Sequence, residues 1–484
     1  MTSLEVLLQN SLHTHTHMNT IRLISWFTAA LALVPSLGQA QPTLIAVGSL
    51  TESRAGANAD LSGLTYLLEN QAPANLLGGL GSGITYDSGK KFLLLPDRGP
   101  NAITFDPLID NTASYVNRFH TVQMDLDRNP GGPLPFTLRT RLQDTTLLWS
   151  RDPLVYGTGA GLGVGSGVPP INDAHHHFFT GRSDNFDPAG NSGNPNNARF
   201  DTEGIRESAN GQSVFISDEY GPYVYQFDRS SGARLRSYAL PEKFYVPNQS
   251  PVGNDEITGN TIGRTANKGM EGLAITPDGR TLVGIMQTAL IQDFNQGGAA
   301  ANLLRIVAID VSSGATKEYA YLLTTGTGVS EILAINNHEF LLDERDGKGR
   351  GGASDGSSND AVVKQLFKID LDGAVDVSNE DGLTAATHAV TKTLFLDLVI
   401  ALTDNGIAAN RIPAKIEGIA FGPDVRDDNH TRVHTLWISN DNDFLLETAD
   451  VPPVPNPNEF YVFSFTDADL PGYVPPTHGL PFGN

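Results

Sequence analysis

Three stretches decide the fold: EGIRESANGQSVFISDEYGP at residues 203–222, EGLAITPDGRTLVGIMQ at 271–287 and EGIAFGPDVRDDNHTRVHTLWISNDNDF at 417–444. Each begins with Glu-Gly, which is followed by a few apolar residues and a turn. A second apolar run follows the turn and ends in acidic or polar residues. Repetition of one unit along a chain is typical of propellers and solenoids. The apolar runs are short and bounded by Gly, Asp, Asn and Pro, which indicates strands rather than helices.

Two degenerate copies extend the repeat. One starts at Ser82, which stands in place of the glutamate, and the other at Ser330, where Glu331 is kept but the glycine is lost. Further runs ending in Asp-Gly and Ser-Gly turns supply third strands. Because the copies lie about 60 to 120 residues apart, we expect hidden blades in the gaps. The sequence predicts an all-β, single β-propeller of about six blades, with long Gly- and Asn-rich loops at 157–197 and 347–360.

Composition narrows the function classes. The net charge of −22, from 54 acidic and 32 basic residues, argues against a nucleic-acid partner, because such proteins neutralise phosphates with clustered Lys and Arg. The chain has no cysteine, so disulfides, thiolate metal sites and a cysteine nucleophile are excluded. Any metal must be bound by oxygen or imidazole.

The first forty residues predict export. Residues 18–40 contain a basic residue, the apolar run Leu23–Val34 and a small-residue end, which is the layout of a signal peptide. The run is shorter than the roughly 20 residues of a membrane span. Residues 1–17 fit a signal poorly and read as a spurious extension before a true start at Met18. We therefore expect a monomeric domain at 41–484, periplasmic or extracellular and without a membrane span.

The repeated acids should meet in space. The first strand of every propeller blade lines the central channel, and the second strand returns to the same face. The inner strands begin at the following acids: Glu203, Glu271, Glu331 and Glu417. The second strands end at the following charged residues: Asp97, Arg98, Asp218, Glu219, Glu344, Arg345, Asp346, Asp441 and Asp443.

So many carboxylates around one axis repel each other and must bind protons or cations. Calcium suits them because it accepts six to eight oxygen ligands in flexible geometry. A structural alternative stays open, in which each glutamate caps the backbone of a neighbouring blade and the glycine allows a tight approach.

Seven short motifs occur in order along the chain: DRGPN at 97–101, DTEGI at 201–205, SDEYGP at 217–222, MEGLA at 270–274, DERDGKG at 343–349, KIEGIA at 415–420 and SNDNDF at 439–444. Together they resemble the phytase-like family, described as having esterase-like activity of phytase. The resemblance implies an extracellular or periplasmic propeller that hydrolyses phosphoesters or other esters. Ser82 departs from the Glu-Gly pattern, so the first blade should contribute no inner acid.

We expect a calcium-dependent hydrolase that acts on a small-molecule phosphate ester through a metal-activated water. The expected calcium ligands are Glu203, Glu271, Glu417, Asp218 and Asp441, with Asp97, Asp443 and Glu331 beside them. Arg98 or Arg345 would help to bind the phosphate, because a guanidinium matches its oxygens in bidentate fashion, and the alternative that either arginine pairs with a neighbouring carboxylate as scaffolding stays open. One of Glu219, Glu344 and Asp346 would act as general acid or base.

Other interpretations are weaker or remain open. Ser354 fits the G-x-S-x-G pattern but lies in a polar, glycine-rich loop without the strand and helix of a nucleophile elbow. His175–His177 reads as a solvated loop, and the Asp125 segment lacks the final glutamate of an EF-hand loop. A non-catalytic binding propeller with structural calcium and a lactone or sugar-ester hydrolase both stay open.

Overall fold

The part of the chain that the structure describes contains five four-stranded antiparallel sheets. The structure is a computed structural model, which describes residues 41–102, 111–158, 165–187, 190–352, 359–450 and 452–476. Blade 1 comprises Gly83–Ser88, Lys91–Leu95, Arg118–Arg128 and Phe136–Leu147. Blade 2 comprises Thr202–Glu207, Ser213–Asp218, Tyr223–Asp228 and Arg234–Ala239.

The remaining three blades repeat this order from the inner to the outer strand. Blade 3 comprises Met270–Ile275, Thr281–Met286, Leu303–Asp310 and Thr316–Leu322. Blade 4 comprises Gly328–Ala334, Glu339–Arg345, Lys364–Asp370 and Lys392–Asp397. Blade 5 comprises Ile416–Arg426, Arg432–Asn440, Asn458–Phe465 and, as its outermost strand, Thr43–Leu50 from the other end of the domain.

The ring closes with these five blades. Each inner strand contacts the inner strand of the next blade, and that of blade 5 contacts that of blade 1. The all-β propeller is therefore confirmed, but the expectation of about six blades is wrong. The gap after blade 1 is filled by its own long outer strands, Arg118–Arg128 and Phe136–Leu147, and by connecting loops. Thr43–Leu50 completes blade 5 instead of belonging to a separate blade.

Apolar side chains fill the space between neighbouring blades. Leu93 of blade 1 and Ile205 of blade 2 belong to one buried cluster, and Phe215 of blade 2 and Leu273 of blade 3 belong to the next. Between blades 5 and 1, the rings of Trp437 and Phe92 have centroids 4.5 Å apart. Because each blade is covered on both faces, its strands read as short, continuous apolar runs rather than as alternating ones.

Short helices and loops connect the strands. The α-helices are Gly253–Thr258, Ile291–Phe294, Gly382–Ala386 and Leu398–Asp404, and the 3₁₀-helices are Glu242–Phe244, Gly298–Asn302 and Ala409–Arg411. Two-residue strands pair Glu52–Ser53 with Gly56–Ala57 and Trp149–Ser150 with His177–Phe178. None of the described helices has the length and apolar character that a membrane crossing requires. The expected signal peptide at 18–40, the extension at 1–17 and Ser354 lie outside the described residues.

A buried ion pair crosses the central channel. Arg206 of blade 2 lies 2.9 Å from Glu331 of blade 4 and donates to the carbonyls of Ile84 in blade 1 and Ile419 in blade 5. Glu331 Oε1 accepts the backbone N–H of Leu273 in blade 3. Both charged side chains are almost fully buried. This one pair therefore contacts the inner strands of all five blades.

Candidate functional site

The Glu-Gly pairs lie at irregularities in the inner strands. In blade 3 the pairing shifts between Met270 and Gly272, which leaves Glu271 as the extra residue, and similar shifts include Glu203 and Glu417. Such a bulge redirects the side chain of the extra residue. The glycine permits close packing, since a Cβ on Gly272 would lie 2.7 Å from a backbone nitrogen of blade 4.

Serines occupy the same place in the other two blades. Ser82 Oγ lies 2.5 Å from Glu203 Oε2 and donates to it. In blade 4 the shift falls between Val329 and Glu331, one residue earlier than in blade 3, so that Ser330 is the extra residue. Ser330 Oγ accepts a hydrogen bond from Arg345 Nε at 2.5 Å. Glu331 is turned instead toward the backbone of blade 3 and Arg206.

The ends of the second strands join this ring. The backbone N–H of Glu219 donates to Asp201 O at 2.9 Å, and that of Asp441 donates to Lys415 O at 3.0 Å. Asp97 is anchored in the same way on Gly79 O, at 3.1 Å. These bonds hold Asp97, Glu219 and Asp441 at the mouth of the channel, beside the inner glutamates.

Eight carboxylates gather there in what we call the acidic chamber. Three groups of acids have oxygens within 4.8 Å of one another: Asp97, Asp201 and Glu203; Asp97, Asp441 and Asp443; Glu203, Glu219 and Glu271. Glu417 completes the chamber and shares Arg345 with Glu271. All except Asp443 are buried.

Three cationic side chains enter the chamber. Arg98 Nη1 lies 2.7 Å from Asp201 Oδ2, and Arg345 Nη2 lies 2.6 Å from Glu417 Oε1. Lys415 Nζ lies 2.9 Å from Asp443 Oδ1 and also contacts Asp441. Eight acids thus face three cations, which leaves a large formal excess of negative charge.

This excess changes the protonation of the acids. Burial and the neighbouring Glu271 raise the pKa of Glu219 to about 8, and burial and Glu417 raise the pKa of Glu271 to about 7. Burial followed by Glu271 raises the pKa of Glu203 well above its usual value. Burial would also raise the pKa of Asp97, but Lys415 and Arg98 outweigh it and lower the value to about 2. In the absence of a metal, part of the chamber is therefore protonated at neutral pH.

We expect the metal-free protein to lose stability as the pH rises from about 4.5 to about 8. An acid with a raised pKa keeps its proton in the folded state at a pH where the unfolded chain has released it, so the free energy of unfolding falls with rising pH. For Glu219 and Glu271 this window extends from their ordinary value of 4.5 to about 8 and about 7. Urea unfolding with a chelator should show a loss of about 5 kcal/mol from Glu219 alone, since its pKa rises from 4.5 to about 8 and one pKa unit corresponds to about 1.4 kcal/mol. Glu271→Gln should flatten the profile, and a stability that rises over this range would contradict the expectation.

Four of the sequence-predicted site residues lie outside the chamber. Asp218 Oδ1 accepts the backbone N–H groups of Asp201 and Tyr220, at 3.1 and 2.9 Å. Glu331 belongs to the buried pair with Arg206.

The other two are Glu344 and Asp346, and each is paired with a lysine. Glu344 accepts hydrogen bonds from Tyr321 and Thr325 and contacts Lys392; burial would raise its pKa, but these partners lower it. Asp346 lies 2.5 Å from Lys364 Nζ.

Two residues of the chamber were not predicted, namely Asp201 and Lys415. Both stand two positions before a Glu-Gly pair, at Glu203 and Glu417. This shared offset is the signal that identifies them, because equivalent positions of different blades converge on one axis.

The donor set fits a calcium ion. Carboxylate oxygens are the ligands that calcium prefers. Glu271 Oε2 and Glu417 Oε2 are buried and accept no hydrogen bond within the described residues. A buried carboxylate oxygen without a partner is costly, and a cation removes that cost.

The chain is similar to several known proteins. A protein of Arthroderma benhamiae with the name uncharacterized secreted protein is 29% identical over 443 residues, covering 77% of this chain and 83% of that protein. Among solved structures, the periplasmic gluconolactonase of Pseudomonas aeruginosa is similar at 11% identity and a TM-score of 0.32, covering 88% of this chain and 99% of that one. The family model described as esterase-like activity of phytase matches residues 75–444. The chain therefore belongs to the phytase-like family.

Proposed function

We propose that the chain is an exported, calcium-dependent hydrolase that cleaves a phosphate ester in the acidic chamber. The observation that carries this proposal is the crowding of eight carboxylates around three cationic side chains. The description of the family supports ester hydrolysis. The name of the Arthroderma benhamiae relative supports export. The proposal includes a signal peptide at 18–40 after an extension at 1–17, and a domain at 41–484.

Glu203, Glu219 and Glu271 are the residues that would hold the ion. Arg98 approaches Glu219 to 3.8 Å and Arg345 approaches Glu271 to 3.8 Å, which is beyond hydrogen-bond distance. Within the described residues, none of these three acids has an ion pair within hydrogen-bond distance. A bound calcium ion would supply electrostatic stabilisation to a phosphoryl oxygen and lower the pKa of a water molecule.

Arg98 and Arg345 are placed to bind the phosphate group. Their side chains are 18% and 12% exposed, so they border the entrance of the chamber. Asp201 and Glu417 hold the two guanidinium groups in place, at 2.7 and 2.6 Å. A guanidinium oriented in this way can pair with two phosphate oxygens.

In this proposal, Glu219 is a cation ligand and not a general acid. With a pKa of about 8 it holds a proton in the metal-free chamber, and an entering cation would displace this proton. Glu344 and Asp346 have no part in the chemistry, because lysines bind both of them outside the chamber.

The test is hydrolysis by the chain from Gln41 onward. Phytate, a simple phosphodiester, a lactone and a carboxyl ester are assayed with added calcium and then with a chelator. We expect calcium-dependent release of phosphate. Hydrolysis of lactones or carboxyl esters alone would reject the phosphoester assignment. Failure on every ester, with calcium still raising the unfolding temperature, would identify a binding propeller with a structural metal.

A further inference from the structure

Lys415 reaches into the acidic chamber from just before the inner strand of blade 5. Its Nζ lies 2.9 Å from Asp443 Oδ1, 3.3 Å from Asp97 Oδ2 and 3.6 Å from Glu417 Oε1. It also contacts Asp441 Oδ2. An ammonium group has three N–H donors and one positive charge. Four carboxylates thus surround the nitrogen as oxygen ligands surround a metal cation.

Asp97, Asp441 and Asp443 have the spacing of a metal site without help from any other residue. Their oxygens lie within 4.8 Å of one another, as do those of Glu203, Glu219 and Glu271. Beside them, Glu417 Oε2 is buried and accepts no hydrogen bond within the described part of the chain. The Asp97, Asp441 and Asp443 group contains the Lys415 ammonium and has one exposed member, Asp443, whereas the three glutamates of the other group are all buried.

The surrounding backbone holds Lys415 and its partners in this arrangement. The N–H of Asp441 donates to Lys415 O at 3.0 Å, and the N–H of Asp443 donates to Asp441 Oδ1 at 2.7 Å. Asp443 and Phe444 adopt φ values of 52° and 56°, which non-glycine residues rarely adopt. Phe444 is held in turn by tight packing against Gly79. The turn therefore directs Asp443 toward the ammonium at the expense of local backbone strain.

We propose that the Lys415 ammonium is the resident cation of the Asp97, Asp441 and Asp443 group. The chain then binds a divalent ion at Glu203, Glu219 and Glu271 and none at the second group. This inference rests on the proposed function for the first of these sites. In this proposal, the Asp97, Asp441 and Asp443 group balances the charge of Lys415 and positions Asp97. Asp97 also has an oxygen within 4.8 Å of oxygens of Asp201 and Glu203.

Calcium titration of metal-stripped protein by calorimetry tests the proposal with Lys415→Met. Removal of the ammonium leaves three facing carboxylates that a divalent ion can bridge, so the variant should bind one more ion per chain than the parent protein. Lys268→Met is the matched control. Lys268 Nζ donates to Gln287 Oε1 at 2.8 Å, so this change removes the same charge near the chamber without emptying an acid group. Its stoichiometry should equal that of the parent, and an unchanged stoichiometry in Lys415→Met would overturn the proposal.

Asp443→Asn gives an independent test in a protein that keeps Lys415. The Asp443 side chain is 44% exposed, so the change should be tolerated. We expect the stoichiometry of the parent, and the loss of one ion would overturn the proposal. If the parent binds no calcium while Lys415→Met binds one ion, the role of Lys415 stands and the proposed function fails. If neither protein binds calcium, the role of Lys415 fails as well.

Discussion

Replacement of both Glu203 and Glu271 by glutamine should abolish calcium-dependent hydrolysis and stabilise the metal-free protein. Glutamine keeps the shape of the side chain, and its carbonyl can still accept the Ser82 hydroxyl. The loss of two anionic ligands should lower turnover by more than about 100-fold, since removal of even an outer-shell partner costs 10- to 100-fold. The same change replaces two buried acids whose pKa values are raised, and so removes the free-energy cost of ionising them, which means that the urea midpoint measured with a chelator should rise at about pH 8.

The opposite directions of the two effects make this test decisive. An unfolded variant would lose activity and stability together, whereas a variant that lacks only its cation ligands loses activity and gains metal-free stability. Glu52→Gln is the control, because Glu52 is exposed on a two-residue strand outside the chamber. Full activity in the double variant would refute the proposed cation site.

Arg206→Met should cause the largest loss of stability of any single change considered. It leaves Glu331 buried beside apolar strands without its cation, and it removes donors from the carbonyls of Ile84, Ile332 and Ile419. Loss of one partner of a buried ion pair costs about 3 to 5 kcal/mol. Urea unfolding followed by circular dichroism, at neutral pH and with a chelator, gives the value directly.

Two further variants separate charge from packing in this experiment. Combining Arg206→Met with Glu331→Gln removes the stranded charge, so the double variant should be more stable than Arg206→Met alone. Arg236→Met is the matched control, since Arg236 also donates to a neighbouring carbonyl, Val311 O at 2.8 Å, but does so on an outer strand. We expect it to cost about 1 kcal/mol. An equal cost for Arg206→Met and Arg236→Met would show that the channel pair is not special.

The repeat in the sequence predicted the fold and the place of the chamber, but not its details. Equivalent positions of different blades converge by symmetry, which is why Glu203, Glu271 and Glu417 could be placed together. Glu331 departs from them because a one-residue change in the position of the bulge turns the side chain around. Between Asp218 and Glu219, adjacent residues at a strand end, the sequence pattern alone does not determine which one faces the channel.

The remaining differences depend on residues that are distant in the sequence. Glu344 is paired with Lys392, which belongs to the outermost strand of its blade, so its motif carries no sign of that partner. The number of blades was overestimated because gap length does not distinguish a hidden blade from long outer strands such as Phe136–Leu147.

The pair formed by Arg206 and Glu331 also affects access to the acidic chamber. Since it joins the inner strands of all five blades across the channel, the acidic chamber has a floor at that depth. The chamber is open to solvent on the side where the Lys415 and Asp443 side chains are 24% and 44% exposed. For the proposed hydrolase, this arrangement predicts that an ion beside Glu203 binds before a bulky substrate and leaves after the product.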